Sequence, residues 1–355
     1  IPIVDKKVNV FVCGPTVYDF PHLGHAKTST QFDFIVKYLR YRGFDVMYVQ
    51  NITDIDDKII NRSRERGVLW SNLAREFENI YIEDMKALGN DSVSKYARAT
   101  DYIEEIVKQV KVLLEKGFAY RISDGIYYEV SKFTEYGKLS GRKELQANDS
   151  ISRIDENKEK RGWNDFCLWK ISNVGEPFWD TELGKGRPGW HIEDTAITET
   201  LFGPQYDIHG GAVDLIFPHH EAEISQMEAA SGKSPMVRYW LHTGFLNINS
   251  EKMSKSKGNF KTIRQALGQY NFRVLRFLFL SSHYRSTIDF TNTILEQSKN
   301  SLQRIQEFVN KIDKNYEDQD EKKVVEELKI KINNALGDDF DTPTAFAVLF
   351  EFIRS

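Results

Sequence analysis

The feature that most constrains the fold is a strand–helix–strand pattern near the start of the chain. The apolar run Val8–Cys13 predicts a buried strand that a Gly-Pro pair ends, and residues 45–51 predict a second strand. Between these strands, apolar residues recur at helical spacing, at Phe32, Ile35, Val36 and Leu39. Two strands joined through a helix form a parallel pair, so the pattern predicts an α/β fold with a parallel sheet.

The middle of the chain departs from this pattern. Residues 101–116 predict an amphipathic helix, and aromatic segments on either side of Ser123–Gly125 predict a hairpin. We interpret residues 97–185 as an insertion into a nucleotide-binding fold, whose parallel pattern resumes near Gly189. From about residue 295 the chain predicts charged, amphipathic helices, which a solvated loop over residues 313–323 interrupts.

Composition limits the class of protein. The chain has 355 residues, 41% of them hydrophobic, and a net charge of −4, so bulk charge does not favour non-specific binding to nucleic acid. The two cysteines, Cys13 and Cys167, make no disulfide framework and favour a reducing compartment. Neither a signal pattern nor an apolar run of about 20 residues occurs. We therefore expect a cytoplasmic protein that does not contact a membrane.

Histidines concentrate in two places, which favours a functional site. His22 and His25 flank Gly24 in the turn between the first strand and the first helix, and five others lie between residues 191 and 242. A helix N-terminus attracts anions, and Gly24 allows close approach, so the turn suits a phosphate. The alternative is that the two histidines only cap the helix.

The segment Lys252–Asn259 (KMSKSKGN) is a second candidate phosphate site. Its lysines and hydroxyl groups predict a mobile loop that closes over a polyphosphate and stabilises charge in a transition state. Such a run taken alone is more often a solvated surface loop. A P-loop at Gly232–Ser234 is excluded, because Met227 stands where that motif requires its first glycine.

Together these two segments resemble the HIGH and KMSKS motifs of class I aminoacyl-tRNA synthetases. Further segments resemble the cysteinyl-tRNA synthetase family in particular: CGPTVYDFPHLGHA (13–26), NITDIDDKI (51–59), GRPGWHIE (186–193), DIHGG (207–211), DLIFPHHEAE (214–223) and EKMSKSKGN (251–259). The resemblance runs from about Val8 to Phe350. It implies an enzyme that activates L-cysteine with ATP and transfers it to tRNA(Cys).

The resemblance also implies a domain organisation. A Rossmann-type parallel-sheet domain would have its first half at 1–96 and its second at 186–240, split by a connective insertion at 97–185. A stem-contact region at 241–294 and the start of a helical bundle at 295–355 would follow. Most of the C-terminal anticodon-binding region of the family would be lacking.

The family uses a zinc ion to hold the substrate thiolate, and the matching positions here are Cys13, Asp194, His219 and Glu223. Asp194 departs from the family, which has a second cysteine there; aspartate keeps the ligand charge but makes the site harder. His219 and Glu223 are four residues apart and would share a face of a helix that starts after Pro218. Cys167 lies in an apolar segment, and we interpret it as a buried structural thiol.

The resemblance assigns the remaining roles. Thr53, Trp190 and His209 would line the cysteine pocket. His22, His25, Lys252 and Lys255 would stabilise the transition state of adenylate formation, and Mg²⁺ would accompany the nucleotide. ATP would be bound by Gly24, Gly211, Asp214 and Lys255. Taken singly, Thr53 could be a capping residue, Trp190 a core aromatic and His209 a satisfied core histidine. A monomer is the family expectation.

Two alternatives stay open from the sequence. A cysteine ligase of the mycothiol type shares the adenylation site but couples cysteine to an amino sugar; the helices after KMSKS and the DDFDTP segment favour the synthetase. A non-catalytic paralogue that binds nucleotide or tRNA is the other, and only Asp194 favours it, because both phosphate motifs are intact.

Overall fold

The computed structural model describes residues 2–144, 157–253, 260–312 and 319–354. The strands are, in chain order, β1 (Lys7–Val12), β2 (Asp45–Ile52), β3 (Lys95–Arg98), β4 (Ala119–Ile122), β5 (Gly125–Tyr128), β6 (Phe166–Ile171), β7 (Gly186–Pro188), β8 (Tyr206–Ala212), β9 (Val237–Thr243), β10 (Leu246–Ile248), β11 (Glu251–Lys252) and β12 (Ile288–Phe290). The helices are α1 (Leu23–Tyr41), α2 (Asp57–Arg66), α3 (Trp70–Ala87), α4 (Ile103–Glu115), α5 (Ile192–Phe202), α6 (Glu221–Ser231), α7 (Ile263–Leu267), α8 (Phe272–Leu280), α9 (Asn292–Lys311), α10 (Gln319–Gly337) and α11 (Thr342–Arg354). None of these helices combines the length and the apolar character that a membrane crossing requires.

The chain divides into two compact units. The first comprises residues 1–20, 43–82 and 93–242, and the second comprises residues 21–42, 83–92 and 243–355. The finer domain boundaries that the sequence suggested stay a prediction.

A five-stranded sheet of order β3-β2-β1-β8-β9 organises the first unit. The strands β2 and β8 pair in parallel with β1 on its two sides, so that Val10 is in register with both Tyr48 and Ile208. Val10, Phe11 and Val12 are completely buried, as expected for a central strand of a parallel sheet. The predicted α/β class is confirmed.

Ligands of such sheets bind beyond the carboxyl ends of the strands, at the point in the sheet where the order of the strands along the chain changes direction. Across this sheet the strand numbers fall from β3 to β1 and then rise through β8 to β9, so that point lies at β1.

The first unit also contains a four-stranded sheet of order β4-β5-β6-β7. The predicted hairpin is confirmed, because β4 and β5 are antiparallel and Ile122 pairs with Gly125. The apolar face of α4 packs in one core with β5 and β6, where Val110, Ile126 and Trp169 are fully buried. Cys167 lies buried on β6 in a cluster with Tyr120 and Tyr127, in keeping with a structural thiol.

The second unit is mainly helical. Helix α1 packs beside α8, and its buried Gln31 amide donates to the carbonyl oxygen of Phe279 at 3.1 Å. A small sheet places β10 between β11 and β12. The predicted loop over 313–323 is partly wrong: α10 begins at Gln319, so residues 319–323 are helical, and the remainder of that loop lies outside the described residues.

An ion pair with a buried carboxylate holds α1 to α8. The side chain of Asp33, only 2% exposed, accepts hydrogen bonds from Ser92 Oγ at 2.7 Å and from an Arg276 guanidinium nitrogen at 2.8 Å. Burial alone would raise the pKa of Asp33, but these hydrogen bonds and the charge of Arg276 outweigh it and lower the pKa below its usual value. The carboxylate therefore contributes stability above the ordinary carboxyl pKa, and this contribution is lost as pH falls through the lowered value.

We expect Asp33→Ala to destabilise the protein by about 3–5 kcal/mol at pH 7, because the half-buried Arg276 guanidinium would lose its carboxylate partner and the backbone amides of Asp91 and Ser92 would lose their acceptor. Chemical unfolding at pH 7 and in steps towards pH 3 measures this, and the difference from the unmodified protein should shrink with acidity. Asp91→Ala is the matched control, since Asp91 is an exposed partner of Lys37 and should cost at most about 1 kcal/mol. Equal costs for the two variants would contradict the assignment.

Candidate active site and metal-binding cluster

Cys13 lies directly beyond the carboxyl end of β1. The amide of Cys13 donates to the Gly210 carbonyl oxygen on β8 at 3.0 Å. The next residue is glycine for a steric reason: a Cβ at Gly14 would lie 1.8 Å from the Asn51 carbonyl oxygen. The Gly14 amide donates to Asn51 Oδ1 at 2.5 Å. Cys13 is therefore held where a sheet of this topology binds its ligand.

His219 and Glu223 come together across the start of α6. The prediction that one helix starts directly after Pro218 is wrong in detail. A wide π-type turn spans Ile216–His220, with Phe217 in an extended conformation, and α6 begins only at Glu221. The turn nonetheless brings His219 Nε2 to 3.1 Å from Glu223 Oε1, and both side chains are buried.

Asp194, in the first turn of α5, completes a group of four donors. Its Oδ2 lies 2.9 Å from His219 Nε2 and 3.5 Å from Cys13 Sγ. Cys13 Sγ lies 3.8 Å from Glu223 Oε1. Donors around a tetrahedral zinc, with bonds of roughly 2.0–2.3 Å, lie about 3.3–3.8 Å apart. The predicted set of Cys13, Asp194, His219 and Glu223 thus has the spacing of a zinc site, slightly compressed along the Asp194–His219 edge.

The electrostatics of this cluster favour a bound cation. Burial and the negative charges of Glu223 and Asp194 raise the pKa of Cys13 well above its usual value. Burial and the charge of Asp194 likewise raise the pKa of Glu223. Three acidic groups in one buried place oppose each other's ionisation, whereas a dication stabilises all three anions and deprotonates a coordinating thiol. The residues present therefore fit a divalent metal ion.

The three residues predicted for the cysteine pocket lie around this cluster. The Trp190 ring stacks on the His219 ring with centroids 4.1 Å apart. His209 Nε2 lies 3.3 Å from Cys13 Sγ, and the buried Thr53 hydroxyl donates to Glu193, the neighbour of Asp194. The structure thus groups Thr53, Trp190 and His209 with the candidate metal ligands.

Sequence reasoning missed two groups of this site. Glu193 is buried and accepts hydrogen bonds from Thr53 and from Asn51 Nδ2, the latter at 3.2 Å. His220 places its Nε2 at 3.3 Å from Cys13 Sγ. The adjacent histidine pair at 219–220 was the available signal, but the family resemblance indicated only His219 as a ligand.

His22 and His25 form a reciprocal cap at the start of α1, as the alternative interpretation supposed. His22 Nδ1 accepts from the Gly24 amide at 3.1 Å, and His25 Nδ1 accepts from the His22 amide at 3.2 Å. An imidazole whose Nδ1 accepts carries its proton on Nε2. Burial lowers the pKa of His25 to about 4, so its ring is neutral at pH 7. The cap therefore selects the tautomer in which Nε2–H is a hydrogen-bond donor, and capping and phosphate binding are compatible.

The other predicted ATP and catalytic residues are placed as follows. Gly24 is in the first turn of α1, Gly211 is in β8, and Asp214 is in a short 3₁₀ turn that follows β8. Lys252 lies in β11, in register with Asn247 on β10. Lys255 lies outside the described residues.

Comparison with known proteins first defines the class. Residues 1–300 match the family model of the class I (C) tRNA synthetase catalytic domain, so the chain is a class I aminoacyl-tRNA synthetase. Its fold agrees: a methionyl-tRNA synthetase from Mycobacterium tuberculosis, in complex with methionyl-adenylate, superposes with a TM-score of 0.72 at 15% identity, over 98% of this chain and 81% of that one.

Curated relatives then define the family. The chain is 48% identical over 353 residues to a cysteine–tRNA ligase of Thermoplasma acidophilum, covering 98% of this chain and 76% of the relative. It is 45% identical over 367 residues to a cysteine–tRNA ligase of Thermodesulfovibrio yellowstonii, covering 99% and 75%. The chain belongs to the cysteine–tRNA ligase family and spans about three quarters of the length of these relatives.

Proposed function

We propose that this chain activates L-cysteine with ATP and transfers it to tRNA(Cys). The cysteine carboxylate attacks the α-phosphorus, the bond from that phosphorus to the bridging oxygen breaks, and pyrophosphate leaves. A ribose hydroxyl of the terminal adenosine of the tRNA then attacks the carbonyl carbon of the adenylate, the bond from that carbon to the phosphate oxygen breaks, and AMP leaves. The observation that carries the proposal is the Cys13–Asp194–His219–Glu223 cluster beyond the central strand of the parallel sheet, in a chain of this family.

We propose that the cluster holds one Zn²⁺, with Cys13, Asp194, His219 and Glu223 as ligands. Zinc supplies a Lewis acid that prefers a thiolate to a neutral hydroxyl, which distinguishes cysteine from serine. The position of Asp194 supports its assignment as a ligand, because its Oδ2 lies 2.9 Å from His219 Nε2 and 3.5 Å from Cys13 Sγ.

The surrounding residues orient the amino acid. The Thr53 hydroxyl donates to Glu193 and accepts from Asn51 Nδ2 at 3.5 Å, which leaves one lone pair of its oxygen for a donor such as the substrate ammonium group. Trp190 contributes apolar ring surface beside the metal cluster, and His209 places its Nε2 3.3 Å from Cys13 Sγ. With these side chains already fixed, little ordering is left for the substrate to induce.

Phosphate groups are the proposed ligands of the two motif segments. His22 and His25 donate through Nε2–H to the triphosphate, and Lys252 and Lys255 stabilise the charge that develops on it. Gly24, Gly211 and Asp214, with Lys255, bind ATP, which Mg²⁺ accompanies. No protein nucleophile takes part, and rate enhancement comes from positioning and charge stabilisation. The proposed setting is a cytoplasmic monomer that does not bind membranes.

ATP–pyrophosphate exchange with cysteine and with serine, on protein loaded with zinc, tests the proposal. We expect exchange with cysteine and a rate with serine that is lower by roughly 10⁴-fold, as for a site that recognises a polar group directly. Equal exchange with both amino acids would contradict thiolate selection. No exchange with either, in folded protein, would contradict the adenylation function and favour a binding paralogue.

A further inference from the structure

A second group of metal-binding side chains overlaps the first. The donor atoms of Cys13, His209, His220 and Glu223 all lie within 4.8 Å of one another. We propose that this group is a second position for the metal ion, which shares Cys13 and Glu223 with the first position and is occupied in alternation with it. The inference rests on the proposed function, since it takes the pocket to bind zinc.

The spacing of the second group is that of a tetrahedral site. The Nε2 atoms of His209 and His220 each lie 3.3 Å from Cys13 Sγ. His209 Nε2 lies 3.4 Å from Glu223 Oε2. These separations agree with the edges of about 3.3–3.8 Å expected around zinc. The first group has a more compressed edge, 2.9 Å between Asp194 and His219.

The carboxylate of Glu223 is divided between the two groups. Its Oε1 lies 3.1 Å from His219 Nε2, whereas its Oε2 is directed to His209 Nε2. A carboxylate offers two oxygen ligands, so one residue can serve an ion on either side without changing rotamer. Cys13 Sγ is likewise within 3.8 Å of donors from both groups.

Both additional histidines are held as metal ligands usually are. His209 Nδ1 is hydrogen-bonded to the Tyr206 hydroxyl at 2.5 Å, and His220 Nδ1 to His242 Nε2 at 2.8 Å. Outer partners of this kind fix the ring orientation and direct the other nitrogen inward. Gly211 assists this packing, because a Cβ there would lie 3.2 Å from Cε1 of the His220 ring.

The ligand chemistry explains why this chain can use both positions. With Asp194, the first group offers one sulfur, one nitrogen and two oxygens, whereas the second offers one sulfur, two nitrogens and one oxygen. Zinc accepts all three donor types, and neither group has a second thiolate that would decide the competition. Both donor sets therefore suit zinc, and an ion displaced from one position finds the other adjacent.

Zinc titration of the metal-free full chain, followed with a competing chromophoric chelator, tests the inference. Asp194→Ala removes a ligand of the first position only, and His220→Ala removes a ligand of the second only. We expect each single variant to bind one zinc per chain with an affinity lowered by at most about 100-fold. The double variant should bind none under the same conditions, a loss much greater than the two single losses combined. His283→Ala, in neither group, is the control.

The possible outcomes separate the two proposals. An unmodified chain that binds no zinc would overturn the proposed metal function itself. An unmodified chain that binds one zinc, together with a folded Asp194→Ala chain that binds none, would overturn only the second position. Two zinc ions per unmodified chain would contradict alternation. Circular dichroism establishes folding, and anomalous diffraction at the zinc edge from Asp194→Ala crystals should place the ion on His209 and His220.

Discussion

Cys13→Ala is expected to abolish zinc binding and to lower cysteine-dependent ATP–pyrophosphate exchange by at least about 10³-fold. The Sγ atom lies 3.3–3.8 Å from donor atoms of Asp194, His209, His220 and Glu223, so both candidate metal groups lose their only sulfur ligand. Loss of one preorganised electrostatic contact costs roughly 10²–10³ in rate, and here the substrate thiol also loses its binding partner. Metal analysis of dialysed protein and the exchange assay measure the two effects.

The second cysteine supplies the matched control. Cys167 is buried on β6 beside Tyr120 and Tyr127 and belongs to neither donor group. Cys167→Ala should keep its zinc and its exchange activity and should lose roughly 1 kcal/mol of stability through lost packing. A Cys13→Ala chain with full zinc content would contradict the ligand assignment. Parallel loss in both variants would indicate a folding defect instead.

The second large effect is expected at His25, where capping and catalysis can be separated by choice of substitution. Asparagine keeps an acceptor close to the position of Nδ1, so His25→Asn should retain the cap on the His22 amide. It has no donor at the position of Nε2. We therefore expect kcat for adenylate formation to fall by about 10²–10³-fold, whereas the free energy of unfolding changes by less than about 1 kcal/mol.

His25→Gln is the complementary variant, because its longer side chain carries an amide N–H towards the position of Nε2. We expect its rate of adenylate formation to be at least about tenfold higher than that of His25→Asn. Single-turnover formation of the adenylate, with KM for ATP determined separately, measures both variants. If His25→Asn retained the full rate, the histidine would be a capping residue only.

Local features of the fold were predictable because their causes are local. The buried run of β1, the helical spacing of α1 and the turn residues of the β4–β5 hairpin each act over a few residues, and the structure contains all three. Two helix boundaries were misplaced, because the local sequence preference at each of them is weaker than in these three elements. Charged residues 319–323 resembled a solvated loop yet begin α10, and Pro218 suggested a helix start where a wide turn intervenes.

The metal cluster was predictable by family resemblance and not by spacing alone. Cys13 and Asp194 are 181 residues apart, and no local pattern joins them. The resemblance carried the assignment, and the structure brings the four donor atoms together. The resemblance by itself left open how Asp194 would replace a cysteine, because its carboxylate oxygen lies one bond further from Cβ than a cysteine sulfur and its distances to His219 and Cys13 depend on the backbone position.

What the sequence by itself determined is therefore the first strand–helix–strand unit, the α4 helix and the hairpin after it, the chemistry of the motifs and the identity of the family. Only the tertiary structure decided that His209, on β8, and His220, in the turn before α6, converge on the same sulfur as Asp194 and His219. The physical reason is topological. Pairing β8 with β1 in parallel sets Gly210 against Cys13 and aligns residues that lie about 200 positions apart, and helix packing then directs each side chain. No local preference encodes that convergence.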